Sequence, residues 1–294
     1  MGAFLMAADR RVLRMKPVRR PFFRVDLIFV IIAIFGGVII LLPFAWMVAT
    51  SLLPANVAYA YPPRFFPNQF RYQNYVEVLK SSVPFAMLFM NSLKISVIIT
   101  VAQLLTCSLA AYGFARLTFP GRDIIFRVLL ATLMVPVQVT IIPIFLGMSK
   151  VGMVDTHYSL ILPALTSVFG IFMLRQFFLT LPREFEDSGR MDGATYLRIF
   201  IRIILPQTGP TIAAFAILTF NNTWNNYFVP LVFLNSWAKM TLPLGIAALK
   251  GYMGSGNQSA VMAGVTMAAL PVVLVFIFAQ RYFIEGVALS GLKG

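Results

Sequence analysis

From Leu27 to Pro63 the chain runs 37 residues without a charged side chain. Five further charge-free runs follow, at 95–115, 128–149, 156–174, 203–238 and 251–280. About 20 consecutive apolar residues suffice to cross the hydrocarbon core of a bilayer as a helix. An open strand edge finds no hydrogen-bond partner in lipid, so the expected fold class is all-α, a polytopic membrane protein with six transmembrane helices. The expected spans are 27–50, 88–114, 126–147, 159–180, 208–234 and 259–283.

Composition supports this and removes other classes. Only 12% of residues are charged and 59% are apolar, against about a quarter charged in a soluble domain. The net charge of +14 comes from 24 Lys and Arg against 10 Asp and Glu. Counted by loop, 17 basic residues fall in 1–24, 115–127, 175–206 and 281–294, and six in the intervening loops. That asymmetry predicts N-in/C-in topology, and it explains the excess without nucleic acid. The domain plan is a cytoplasmic basic segment at 1–24, a permeation domain at 25–283 and a cytoplasmic tail at 284–294. The basic head imitates a secretory signal, but the apolar core from Ile28 to Val48 exceeds a signal's roughly 7–15 residues, so an uncleaved anchor is expected, with Arg19, Arg20 and Arg24 at the inner surface. Cys107 and His157 are each the only residue of their type, which excludes a disulfide, a Cys/His zinc site and an HExxH centre.

The inner loop 181–206 holds four of the ten acidic residues. Pro182 suits a helix start, and Glu184, Glu186 and Asp187 suit its positive N-terminal end. Gly193 takes the left-handed conformation that stops such a helix. Asp192 or Thr195 then caps a second helix with Arg198 and Arg202 on one face, closed by Pro206 and Pro210. The expectation is a helix-turn-helix on the cytoplasmic surface.

Within this loop Gly193, Ile203, Leu205 and Pro206 stand at the spacing of a motif that also contains Glu-Ala-Ala, here replaced by Asp187-Ser188-Gly189. Asp192-Gly193-Ala194 matches its core. With Asn91-Ser92, Ala111-Tyr112-Gly113-Phe114-Ala115-Arg116, Phe119-Pro120-Gly121-Arg122, Pro136-Val137-Gln138, Leu174-Arg175-Gln176-Phe177-Phe178 and Trp224-Asn225 in order, the chain resembles the permease subunits of bacterial binding-protein-dependent ABC importers. The resemblance is to the carbohydrate group, in the manner of the second permease subunit of the maltose system. It implies the type I importer fold in the bacterial cytoplasmic membrane, with a coupling helix carried by Glu186, Asp187, Ser188, Gly189, Met191, Asp192, Gly193 and Ala194. Its implied partners are a homologous second permease as a heterodimer, two cytoplasmic ATPase subunits that hold ATP and Mg, an extracytoplasmic substrate-binding protein and membrane lipid. No Gly-x-x-x-x-Gly-Lys-Ser/Thr loop is present, so this chain is expected to bind no cofactor and to be no enzyme by itself.

Polar groups inside spans point to a pathway. Asn221, Asn222, Asn225 and Asn226 form one broad stripe on an ideal helix, interleaved with Thr219, Thr223, Trp224 and Tyr227. Amides beside aromatic rings are groups that bind sugar hydroxyls and faces, while interhelical hydrogen bonding is the plainer role for any single Asn. Gln138, between Pro136 and Pro143, is a second pathway candidate. Arg175 is expected to snorkel inward, Lys94 to snorkel or pair near the outer end, and Cys107 to pack as a small buried residue. His157 is expected to face solvent, and Gly36-Gly37 and Gly264-x-x-x-Ala268 to allow close helix packing. Residues 51–83 either receive the binding protein or pack over the bundle. The alternative function is a secondary, ion-coupled transporter, but no predicted span core contains the intramembrane carboxylate usual in such carriers.

Overall fold

The computed structural model describes residues 25–55, 57–58, 70–253 and 257–291. The basic segment 1–24 and most of the Pro- and aromatic-rich stretch at 59–69 lie outside the described residues. Every regular element among the described residues is helical. Helix α1, Val25–Ser51, is long and apolar enough to cross a membrane, and its large side chains from Leu27 to Leu42 are exposed. A Cβ added at Gly36 or Gly37 would meet no atom of the described residues within 4 Å.

Residues from Met47 onward form a separate compact unit. Its helices are α2 Gln73–Lys80, α3 Phe85–Arg116, α4 Arg122–Ala131, α5 Val137–Lys150, α6 Tyr158–Ile161 and α7 Val168–Thr180. They are followed by α8 Glu184–Met191, α9 Tyr196–Ile199, a π-helical turn Phe200–Ile204, α10 Leu205–Gln207, α11 Gly209–Trp224, α12 Phe228–Phe233, α13 Leu242–Met253 and α14 Gln258–Gly291. The 32-residue α3 is the axis of this unit. Its Leu88 packs with α11, α13 and α14, its Ile95 and Ile99 with α5, α6 and α12, and its Cys107 and Ala111 with α7 and the π turn.

The expected spans meet the structure unevenly. Helices α1, α3 and α14 each have crossing length, and α14 continues to Gly291, past the expected tail boundary at 284. The 126–147 span is bent by 102° between α4 and α5. Pro136 donates no backbone hydrogen bond and drives Val135 into extended conformation, so the helix restarts at Val137. Pro143, by contrast, is carried inside α5. The 159–180 span stops after one turn of α6 and resumes at α7, where the Ser167 hydroxyl accepts from Gly170 N at 3.2 Å. The 208–234 span divides at 225–227. Counting each bent pair as one crossing gives up to five candidate spans among the described residues.

Backbone freed at such breaks needs partners inside protein. At the α6–α7 break α3 supplies them: Gln103 donates to Ala164 O at 2.8 Å, Thr106 to Leu165 O at 2.7 Å, and Cys107 Sγ receives Ser167 N at 3.3 Å. Cys107 is thus a buried packing residue with a backbone partner. The segment between α1 and α3 holds α2, pinned by the buried Asn74, whose amide donates to Ser51 O and Leu53 O at 2.8 and 2.9 Å. Arg71 pairs with Glu77 at 2.9 Å, and Glu77 also accepts from Asn257 at the foot of α14.

Small residues set the closest helix approaches. Gly264 has the side chains of Leu249 and Phe85 where a Cβ would point, at 3.1 and 3.5 Å. Gly170 on α7 is tighter, because a Cβ there would lie 2.1 Å from Cζ of Phe215 on α11, a ring that is itself fully buried. Gly170→Ala should therefore separate α7 from α11 and cost about 1–3 kcal/mol or more. The check is the thermal unfolding midpoint of the purified protein in detergent, with Phe215→Leu in the same chain expected to restore part of the loss.

Candidate functional site

The hairpin at 181–206 follows its sequence signals closely. Helix α8 begins after Arg183 and ends at Asp192, and Gly193 has φ +74°. Gly193 N donates to Arg190 O at 2.9 Å and Ala194 N to Gly189 O at 3.0 Å, the paired bonds of a Schellman stop. Thr195, rather than Asp192, caps α9, its hydroxyl accepting from Arg198 N at 3.4 Å. Pro206 does not close the second helix. It sits in the first turn of α10, and the chain instead turns by 82° at Thr208 before α11, where Pro210 lies in the opening turn.

The predicted coupling residues divide by exposure. Asp187, Ser188, Asp192 and Gly193 are exposed and Met191 is 89% exposed, whereas Gly189 is buried and Glu186 and Ala194 are half-buried. Gly189 faces Ile199 and Ile203, with a Cβ there 2.9 Å from Ile203 Cδ1, the flexible end of a side chain. The third position of Asp187-Ser188-Gly189 is therefore an internal contact of the hairpin, and its lack of a methyl group lets α8 lie close to the π turn.

Glu186 makes the link to the bundle. Its Oε1 lies 3.1 Å from Nε of Arg116, the last residue of α3, and the two side chains are 13% and 3% exposed. The contact is Coulombic rather than a directed hydrogen bond. Arg116 spends its Nη2 on the carbonyls of Phe178 and, at 2.6 Å, Leu181, which closes the C-terminus of α7 with a cation. Burial pushes the Glu186 carboxyl above the ordinary range, and Arg116, Arg190 and Arg183 pull it back. Arg116 was legible only as part of a family stretch. Arg175, expected to snorkel, instead stacks 4.1 Å over Phe126 and donates to Phe114 O at 3.2 Å, tying α7 to α4 and α3.

The predicted pathway residues do not stay together. Asn222 and Asn226 line a partly open cavity of ≈ 230 Å³ between α3, α5, α6, α11 and α12. Trp224 turns away from it: it is buried, stacks on Phe220 at 5.7 Å, and donates its indole N–H to Ala268 O on α14 at 3.0 Å. Asn225 donates to both the carbonyl and the side-chain oxygen of Asn221 at 2.9 Å, so this pair closes the end of α11. Neither these two nor Tyr227 borders the cavity. Gln138 is exposed, and its neighbours Val137 and Ile141 reach the cavity in its place. The single stripe expected for an unbroken helix is lost because α11 stops at Trp224, and Asn226 Oδ1 accepts from Val229 N at 3.2 Å to start α12.

At the other end of α3 the segment 235–242 is fastened down. Asn91 donates to Ala238 O and Met240 O at 3.0 and 2.9 Å, and Ser92 Oγ accepts from Leu242 N at 2.7 Å. Asp155, at φ +58°, accepts from Asn235 N and Ser236 N at 2.8 and 2.9 Å and from the Ser236 hydroxyl. Those bonds hold its carboxyl below the ordinary range, the Ser236 hydroxyl most of all. His157 is not simply solvent-facing, since Nε2 lies 3.0 Å from Lys239 O and burial holds the ring below its usual pKa. Lys94 is exposed.

Long and broken apolar helices, an acidic hairpin and a mostly apolar cavity carrying uncharged hydrogen-bonding groups are the build expected of a membrane transport subunit. Residues 103–288 match the family described as "Binding-protein-dependent transport system inner membrane component", and the chain belongs to it. It is 40% identical over 230 residues to the arabinooligosaccharides transport system permease protein AraQ of Halalkalibacterium halodurans, covering 78% of this chain and 82% of that protein. It is 33% identical over 263 residues to the sn-glycerol-3-phosphate transport system permease protein UgpE of Yersinia pestis, covering 87% and 93%. Its fold matches a bacterial ABC transporter involved in the import of the acidic polysaccharide alginate, with TM-score 0.75 and 24% identity over 90% of this chain and 99% of that one. The chain is thus a multi-pass ABC importer permease subunit of the bacterial inner membrane, not an enzyme, and the ion-coupled carrier is set aside. A permease of this family works with another permease, an ATPase and a binding protein.

Removing Arg116 should expose the cost of its partner's burial. Arg116→Met leaves the Glu186 carboxylate without its nearest cation, which should cost about 3 kcal/mol at neutral pH, the low end for a broken buried pair because Glu186 keeps some solvent contact. In that variant the folded carboxyl pKa rises further above the unfolded one, so the folded state binds the extra proton and stability falls as pH rises through that interval. Unfolding midpoints across the weakly acidic range should show this slope, and Arg116→Met with Glu186→Gln should flatten it.

Proposed function

We propose that this chain forms half of the translocation pathway of an ATP-driven importer for a sugar or related solute, working by alternating access. It crosses the membrane six times with both termini cytoplasmic, a topology supported by the 17-to-six division of basic residues. Its complex contains a homologous second permease in a heterodimer, two cytoplasmic ATPase subunits carrying ATP and Mg, and an extracytoplasmic binding protein that delivers the solute. Asn222 and Asn226 are the pathway residues that the cavity favours. The solute class is supported by the named cargo of a relative 40% identical to this chain, arabinooligosaccharides.

The observation that carries the coupling role is the two-sided build of the 184–194 hairpin. Its outer side displays Met191, Asp187 and Asp192, an apolar knob flanked by acids, to whatever docks there. Its inner side is fastened through Gly189 to the π turn and through Glu186 to Arg116. A helix seated in a groove of the ATPase would thus be held at its far side to the ends of α3 and α7. Movement of the ATPase subunits then reaches the bundle through packed contacts, with no flexible linker between.

Charge reversal on the displayed side tests this. Asp187→Lys changes an exposed side chain that the hairpin does not use internally, so the complex should assemble and hydrolyse ATP while solute taken up per ATP falls at least about tenfold, the equivalent of 1.4 kcal/mol of coupling. Proteoliposome uptake measured beside phosphate release reads the ratio. Normal uptake per ATP would remove the coupling assignment.

A further inference from the structure

The cavity between the helix breaks has a composition that narrows the solute. We infer that it is a subsite for one ring or a short polyol segment of an uncharged saccharide, and that it discriminates against anionic solutes. This rests on the transport function proposed above and specifies its cargo.

Hydrogen-bonding groups without charge make up its polar lining: Ser92, Ser96, Gln103, Asn222, Thr223 and Asn226 are among the lining residues, and no Asp, Glu, Lys, Arg or His is. Several of these groups are unspent. The Asn222 amide and Thr223 hydroxyl have no hydrogen-bond partner among the described residues, and Asn226 uses only Oδ1, leaving its NH₂ free. The Ser96 hydroxyl is buried without a partner, as is that of Thr241 at the outer edge. An unpaired buried hydroxyl costs free energy that a ligand hydroxyl can recover. A set of amide and hydroxyl groups, each able to donate and accept, matches a polyol, whose hydroxyls do the same.

An anion would enter at a loss. It would leave water for a site with no cation to receive it, and burial of an unpaired charge is among the most expensive of transfers. The nearest basic residue on this stretch of α3, Lys94, lies about 200° round the helix from both Ser92 and Ser96 and is exposed on the opposite side. Near Thr241, His157 is bound to the Lys239 backbone carbonyl and Asp155 to Ser236 and Asn235, and the exposed Lys239 side chain is not among the lining residues. The volume sets the size. Pockets that enclose drug-sized ligands run about 300–1,000 Å³, and ≈ 230 Å³ has room for a single ring at a time. The apolar walls from Ile95, Ile99, Ile141 and Val229 suit the C–H faces of such a ring.

The experiment uses the assembled complex in proteoliposomes, with binding protein saturated by each solute so that its own selectivity does not set the rate. The solutes are a neutral arabinose oligosaccharide, a uronic acid oligosaccharide and glycerol 3-phosphate. The neutral sugar should be carried at least about tenfold faster than either anion. Thr223→Val with Asn222→Ala should raise the KM for the loaded neutral sugar about tenfold, as expected for two neutral hydrogen bonds. Thr223→Ser, which keeps the hydroxyl, should keep the wild-type KM and so separate loss of binding from loss of folding. Anions carried as fast as the neutral sugar, or an unchanged KM in the double variant, would overturn the subsite. Failure of ATP to drive uptake of any solute would instead overturn the transport function on which it rests.

Discussion

A peptide group inside a bilayer has no water to turn to, and most of this architecture follows from how its broken helices meet that requirement. Three of the six apolar runs are interrupted, at Pro136, at 162–167 and at 225–227. Each interruption frees backbone donors and acceptors that an unbroken helix would satisfy by itself. The α6–α7 break is answered by Gln103, Thr106 and Cys107, which lie within two turns of α3 and face it. The α11–α12 break is answered locally, by Asn225 folding back on Asn221 and by Asn226 starting the next helix. Helix α3 can serve as axis because it is the one long helix of this unit that packs against every other cluster along its length.

The same helix connects the two ends of the proposed machine. Near its start Asn91 and Ser92 hold the segment 238–242, and at its finish Arg116 holds α7 and the hairpin. Buried ion pairs seldom add net stability, because desolvation offsets the Coulombic gain. The raised Glu186 carboxyl is that cost made visible. What the pair does provide is a fixed angle between α8 and the bundle, since rotating the hairpin away would strand a guanidinium that is also committed to two carbonyls. A lever needs that rigidity more than it needs stability.

Much of this was legible in the residues. Charge-free runs marked α1, α3 and α14, and Gly193 announced the helix stop with its left-handed backbone. The acids of the 181–206 loop, together with the resemblance, marked the hairpin. Legibility failed where a side chain's partner lies far along the chain. Nothing local says that Trp224 will give its N–H to Ala268, or that Arg116 will meet Glu186 some 70 residues later. Hydropathy windows also cannot see breaks, because Leu162–Ser167 and Asn225–Tyr227 remain apolar or uncharged while ceasing to be helical. Ser96 gives no such signal either, being a single hydroxyl in an apolar run.

The helix breaks and the cavity are one fact. An amide stripe on a straight helix would have put four Asn side chains on one surface, with far more polarity than a single ring needs. Stopping α11 at Trp224 divides them: two close the helix end, one starts α12 through its Oδ1, and one has no side-chain partner among the described residues. The break thereby uses up surplus hydrogen-bonding capacity on the backbone and opens space between α3, α5, α6 and α12 for what remains. Places where local sequence rules fail against a consistent fold tend to be sites of function. Here the failure has a mechanism, because the residues that interrupt the helix are drawn from the same group that lines the cavity.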